Sequence, residues 1–139
     1  MWTTEHAIET TAPPEAIWRV WADVPRWSEW NPDIERIEIS GPFEADSTIT
    51  MTPRGQEPIE LRIAEAVEPE LFIDEADLGE VVVRTLHRAE RVDGGPTRVV
   101  YRMEITGPAS DTLGPELGPQ ISADFPEVLA ALVEHAQRA

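Results

Sequence analysis

Between Asp33 and Thr106 the chain alternates apolar and polar residues in six successive runs, and at Gly107-Pro108 the alternation stops. Ile37 and Ile39 stand two apart, as do Ile49 and Met51, then Ile59, Leu61 and Ile63. A shorter run, "ELFIDEADLG", ends at Gly79. A longer one, "EVVVRTLHRAERV", leads into "DGGP" (Asp93–Pro96). That tetrapeptide is a strong hairpin turn. In the last run Val99, Tyr101, Met103 and Ile105 oppose Arg102, Glu104 and Thr106. Period-two runs joined by short turns form an antiparallel meander with one face packed and one face wet. Such a sheet cannot bury its apolar face alone, so some other element of the chain must cover it.

The cover is encoded at both ends of the meander. After Pro108, Leu113, Leu117, Ile121, Phe125, Val128, Leu129, Leu132, Val133 and Ala136 recur at helical spacing. Pro126 interrupts this stripe and predicts a kink or two helical segments in series. Before Asp33, a Thr-rich strand (Thr3–Thr11) precedes a helix entered at Pro13-Pro14, with Ile17, Val20, Trp21 and Val24 on one face. Pro25 stops or kinks that helix, "PRWSEW" forms a second, short helical turn, and Asn31-Pro32 breaks it. The expected architecture is therefore α+β: a curved antiparallel sheet of about seven strands around a long C-terminal helix, with two short helices between strands 1 and 2. The 139 residues make one domain, 1–139.

The order and spacing of these segments resemble the START-related superfamily of helix-grip proteins, and within it the polyketide cyclase/dehydrase-like branch. The resemblance is carried by "PPEAIWRVWADVPRWSEWNPDI" (Pro13–Ile34), "ISGPF" (Ile39–Phe43), "HRAERVDGGPTRVVYRMEITGP" (His87–Pro108) and "FPEVLAALVEHA" (Phe125–Ala136). It implies a deep, mostly apolar cavity between sheet and C-terminal helix for lipids, polyketides, isoprenoids or other aromatic compounds. It fixes no activity. Two positions depart from the family's habit of large apolar strand residues. Ala89 is small enough to enlarge the cavity, and Arg91 is placed to reach its rim.

Composition removes several function classes. A formal charge of −16 argues against a nucleic acid or an anionic membrane as partner, since phosphate binding needs a basic surface. All eleven basic residues are Arg, which removes Schiff-base chemistry and a P-loop lysine. There is no Cys, hence no disulfide or thiolate chemistry. His6, His87 and His135 are scattered without metal-ligand spacing, and no Gly-x-Ser-x-Gly elbow occurs. Neither metal nor cofactor is expected. The Gly-Pro pairs, including Gly114-Pro115 and Gly118-Pro119, are expected as turn punctuation, and the Asp74/Glu75 and Glu68/Glu70 pairs as solvated strand ends. Arg84, Arg88 and Arg102 on the wet face are expected to pair with Glu60, Glu90 and Glu104. No run of about 20 apolar residues exists to span a bilayer, and the first residues lack a signal pattern. The expectation is a cytoplasmic monomer or homodimer.

Strand parity places Val83, Thr85, His87 and Ala89 on one face of the long strand. His87 is then a candidate general acid/base or hydrogen-bonding group, set against the alternative of a core histidine satisfied by a neighbour. Tyr101, on the strand joined to it by the Asp93–Pro96 turn, is a candidate donor to a ligand carbonyl or enolate, set against a core tyrosine. The candidate wall comprises Trp27, Trp30, Ile49, Met51, Leu61, Val83, Thr85, Ala89, Met103, Leu117, Ile121 and Phe125. Of the clustered tryptophans, Trp21 is expected in the core, Trp18 on the flank of the first helix, and Trp27 and Trp30 at the cavity entrance. Two functions follow. The first is binding of a small hydrophobic or aromatic metabolite. The alternative is a metal-independent cyclase or dehydratase moving protons on an enolisable substrate.

Overall fold

A computed structural model describes residues 1–138. Its strands are β1 (Trp2–Thr10), β2 (Ile34–Ser40), β3 (Thr48–Pro53), β4 (Ile59–Val67), β5 (Leu71–Asp77), β6 (Val82–Arg91) and β7 (Thr97–Thr106). They form one antiparallel sheet in the order β1-β7-β6-β5-β4-β3-β2. The six runs of the meander thus follow chain order across the sheet, and β1 joins the far edge beside β7. Register shifts at Ile34/Arg36 in β2 and Ile63/Glu65 in β4 bend the half of the sheet farthest from β1. Helix α1 (Pro14–Ala22), a 3-10 turn (Val24–Arg26) and the short helix α2 (Trp27–Trp30) occupy the β1–β2 connection.

The C-terminal helix comes as two segments in series, α3 (Ser110–Ser122) and α4 (Phe125–Arg138). Pro126 is the second residue of α4. In that first turn its missing N–H costs nothing, so it starts a segment instead of kinking one. Phe125, Leu129, Leu132, Val133 and Ala136 form the buried face of α4. They pack over the sheet with Ile17, Trp18, Val20 and Trp21 of α1. The architecture is the helix grip expected from the residue pattern. Among the described residues no helix is long and apolar enough to cross a membrane.

Helix α3 departs from expectation. Gly114-Pro115 and Gly118-Pro119 lie inside it and not in turns. The buried residues of α3 are Ser110, Gly114, Gly118 and Ser122, four apart along one face. The indole of Trp2 lies across the two glycines. A Cβ on Gly114 would stand 2.5 Å from Trp2 Cβ, and one on Gly118 would overlap the six-membered ring. Pro115 and Pro119 are exposed, so the bonds they cannot donate are lost on the solvent side. The face of α3 that meets the sheet is a slot for one tryptophan, and Leu113 and Leu117 flank it half-buried.

The wet face carries fewer of the expected ion pairs. Arg62 and Arg84 converge on Glu75 at 2.7 and 3.3 Å, and Arg102 bonds Glu104 at 3.2 Å. Among the described residues Arg88, Glu60 and Glu90 form no ion pair, and Glu75 takes the place expected of Glu60.

Candidate functional site

Register turns strand parity into a wall. His87 pairs with Phe72 on β5 and with Tyr101 on β7, while Thr85 pairs with Asp74. Phe72, Asp74 and Ala76 therefore share the inner face with Val83, Thr85 and His87. Helix α1 lays Trp21 on this row, and the end of α3 and the start of α4 close it with Ile121, Asp124, Phe125 and Val128. A cavity of about 270 Å³ remains between them. It reaches solvent beside Leu78 and Ile121, which are 50% and 39% exposed.

Of the residues expected in the wall, Trp27, Trp30, Met51, Leu61, Val83, Thr85, Ile121 and Phe125 line this cavity, as do His87 and Tyr101. Ile49, Ala89 and Met103 do not. They are fully buried in the filled part of the core, because parity assigns a face but not the stretch of that face left uncovered. Ala89 enlarges nothing, and Arg91 stands exposed at the β6 end, outside the lining. Leu117 sits beside the α3 slot, also away from the cavity. Trp18 is buried instead of flanking, with its ring edge on Phe43 at 5.4 Å. Trp21 belongs to the core and to the cavity wall together.

The polar groups are held by aromatic neighbours. The His87 imidazole stacks on Phe72, with centroids 3.9 Å apart and planes 4° from parallel, and meets Tyr101 edge-on at 4.6 Å. Its Nδ1 is 3.3 Å from the Phe72 carbonyl oxygen. A carbonyl only accepts, so Nδ1 carries the proton and Nε2 keeps its lone pair. Burial lowers the His87 pKa to about 3, against the opposing effect of the hydrogen bonds its ring donates to the Phe72 and Thr85 backbone. The ring is neutral at any ordinary pH.

Trp21 Nε1–H donates to the Tyr101 hydroxyl oxygen at 3.1 Å, and Trp27 Nε1–H donates to the Trp21 carbonyl at 2.9 Å. The chain Trp27–Trp21–Tyr101 orients the phenol while leaving it its own proton to give. Burial also raises the Tyr101 pKa above its usual value.

Asp74 overturns its expected placement. It is 6% exposed and lines the cavity, whereas its neighbour Glu75 lies on the outer face between two arginines. Among the described residues nothing donates a hydrogen bond to its carboxyl. Burial, with a smaller push from the charge of Glu75, raises its pKa to about 7. A period-two reading of Phe72-x-Asp74-x-Ala76 contains this placement. Ile73, apolar on the opposite parity, hides it. Asp124, half-buried at the mouth, is also raised by burial, with Asp33 and Glu127 adding repulsion. Among the described residues no group of three or more His, Asp or Glu is arranged to hold a metal ion.

Solved structures with this fold cover nearly the whole chain. The aromatase/cyclase ZhuI from Streptomyces sp. R1128 is 18% identical over 98% of this chain and 93% of its own, with a TM-score of 0.75. Norcoclaurine synthase from Thalictrum flavum, in complex with dopamine and hydroxybenzaldehyde, is 15% identical over 96% of this chain and 86% of its own, at 0.72. A START superfamily protein from Mycobacterium smegmatis is 16% identical over 98% and 97%, at 0.72. At these identities the likeness is one of fold. No curated protein sequence matches the chain. The sequence model described as polyketide cyclase/dehydrase and lipid transport matches residues 1–137, and the chain belongs to that family.

Proposed function

We propose that the protein binds a small hydrophobic or aromatic metabolite in the cavity between its sheet and its C-terminal helices. The observation that carries this reading is the cavity itself. About 270 Å³ of space is walled by Trp21, Trp27, Trp30, Phe72 and aliphatic side chains, with few polar groups. Ligand sites have this composition, and cores without a ligand contain few voids of this size. Native mass spectrometry of the protein purified from its own host tests the reading. The expected result is a bound small molecule, retained or recovered on incubation with a hydrophobic extract of the host. A spectrum of unliganded protein after both treatments overturns it.

A second reading is favoured by the oriented Tyr101 hydroxyl. An enolisable substrate with its carbonyl at Tyr101 receives a hydrogen bond that strengthens as the enolate forms. The base in this cyclase or dehydratase reading is Asp74. A conjugate acid near pH 7 suits proton abstraction, whereas a histidine titrating at about 3 is too weak a base. Tyr101→Phe and Asp74→Asn then abolish turnover of a poly-β-ketone, and His87→Gln keeps part of it. Full turnover in the first two variants removes the mechanism.

A further inference from the structure

Among the described residues the cavity is lined by two carboxyl groups and no cationic side chain. Asp124 stands at the mouth, and Asp74, 6% exposed, opens onto the space inside, where no side chain or backbone group among the described residues donates a hydrogen bond to its carboxyl. Buried carboxyls are ordinarily paired or hydrogen-bonded, because leaving water uncompensated is costly. Glu75, one residue along on the outer face, is paired with Arg62 and Arg84. No Arg lines the cavity, and His87 is held neutral by its burial. The remaining wall is rich in aromatic rings, with Trp21, Trp27, Trp30 and Phe72 around the same space. Indole faces attract cations, most strongly where water is excluded. The protein as a whole carries −16, a field that draws cations toward it and repels anions.

We propose that the ligand is a hydrophobic cation, an aromatic amine or quaternary ammonium compound whose charged nitrogen lies against Asp74 and whose hydrocarbon body lies among the indole rings. This rests on the cavity being a ligand site and names the class of ligand it selects. An anionic ligand of the same size meets two carboxyl groups and no compensating charge, and is rejected. The cation is the partner that Asp74 lacks, and its arrival favours the ionised carboxylate.

Linkage gives the sign of the pH dependence. The groups facing Asp74 are His87 from β6, Tyr101 from β7 and Asp124 from the α3–α4 junction. Glu75 on β5 acts on it from the opposite face. His87 and Tyr101 keep their protonation across the neutral range, so Asp74 is the group that changes. It gains negative charge as pH rises. A permanently charged cation therefore binds more tightly as pH rises through about 7.

The test compares phenyltrimethylammonium with its neutral isostere tert-butylbenzene, followed by tryptophan fluorescence and NMR shifts between about pH 6 and pH 8. The wild type is expected to bind the cation about tenfold more tightly at the upper pH, following the ionised fraction of a group titrating near 7. The neutral compound shows no such trend. In Asp74→Asn the cation loses most of its affinity and its pH dependence, while tert-butylbenzene still binds and reports an intact cavity. A cation affinity that is flat or falling with pH, or unchanged in Asp74→Asn, overturns the proposal. So does a neutral ketone such as acetophenone binding more tightly as pH falls while the cation is excluded, a result that assigns Asp74 to proton donation. In either case binding of tert-butylbenzene leaves the cavity reading standing. If none of the three compounds binds at any pH, both readings fall.

Discussion

Replacing Asp74 by Asn exchanges a buried carboxyl for a neutral group of the same shape, and its effect on stability follows from where the carboxyl titrates. In the folded protein Asp74 titrates at about 7 instead of its ordinary 3.8. Below about 3.8 the group is protonated in both folded and unfolded states and contributes nothing. Between 3.8 and 7 the unfolded chain releases a proton that the folded protein keeps, so stability falls as pH rises. Above 7 the deficit is complete, at about 4 kcal/mol from 1.36 kcal/mol per pH unit. His87 works in the opposite sense. Its pKa drops from 6.5 to about 3, so its contribution is intact above 6.5 and lost as pH falls toward 3. Across the overlap the two slopes offset each other and the wild-type profile is flattened. The difference between Asp74→Asn and wild type isolates the carboxyl. Urea unfolding followed by tryptophan fluorescence should give nearly equal stabilities near pH 4. The variant should gain steadily and be more stable by up to about 4 kcal/mol near pH 7 and above. A gain that is constant across this range, or that shrinks as pH rises, refutes the account of Asp74 as an unpartnered buried acid.

Two further outcomes test how the site is supported. Gly118→Ala drives a methyl group into the Trp2 ring and should cost about 1–3 kcal/mol by overpacking, seen as a lower Tm. Combining it with Trp2→Leu should restore part of the loss, and full additivity would place the strain elsewhere. Trp21→Phe removes the donor to Tyr101 and should cost about 1–3 kcal/mol. In a double-mutant cycle with Tyr101→Phe the two losses should be strongly non-additive, and independence would show that the bond does not orient the phenol.

The helix grip was legible because alternation from Ile37 to Ile105 and a single apolar helical stripe leave few ways to bury both. The His87–Tyr101 pair was legible for a related reason, since one hairpin at Asp93–Pro96 sets their register. Three readings failed on local ambiguity. Asp74 lies in a run with apolar residues on both parities, Phe72 and Ala76 on its own and Ile73 on the other, so its face is not decided by its own run. Ile49, Ala89 and Met103 point inward as their parity predicts, yet parity carries no information on where α1 and α4 fill the grip. The face of α3 was read from its leucines, while contact is made by glycines, which leave no mark in a hydrophobic pattern. What a tryptophan touches depends on the space left for it, and that space is set by residues more than a hundred positions away.

The seating of Trp2 bears on the order in which this molecule assembles. Strands β2 to β7 are joined by successive hairpins and can pair as they emerge from the ribosome. Strand β1 has as its partner β7, where Trp2 stands opposite Ile105. Its indole waits longer still, for Gly114 and Gly118. Closing a loop of about a hundred residues is slow relative to closing a hairpin. The first strand made is thus among the last to be placed. Until then its edge and its tryptophan remain available to other chains, which makes the interval before α3 is synthesised the stage most exposed to aggregation.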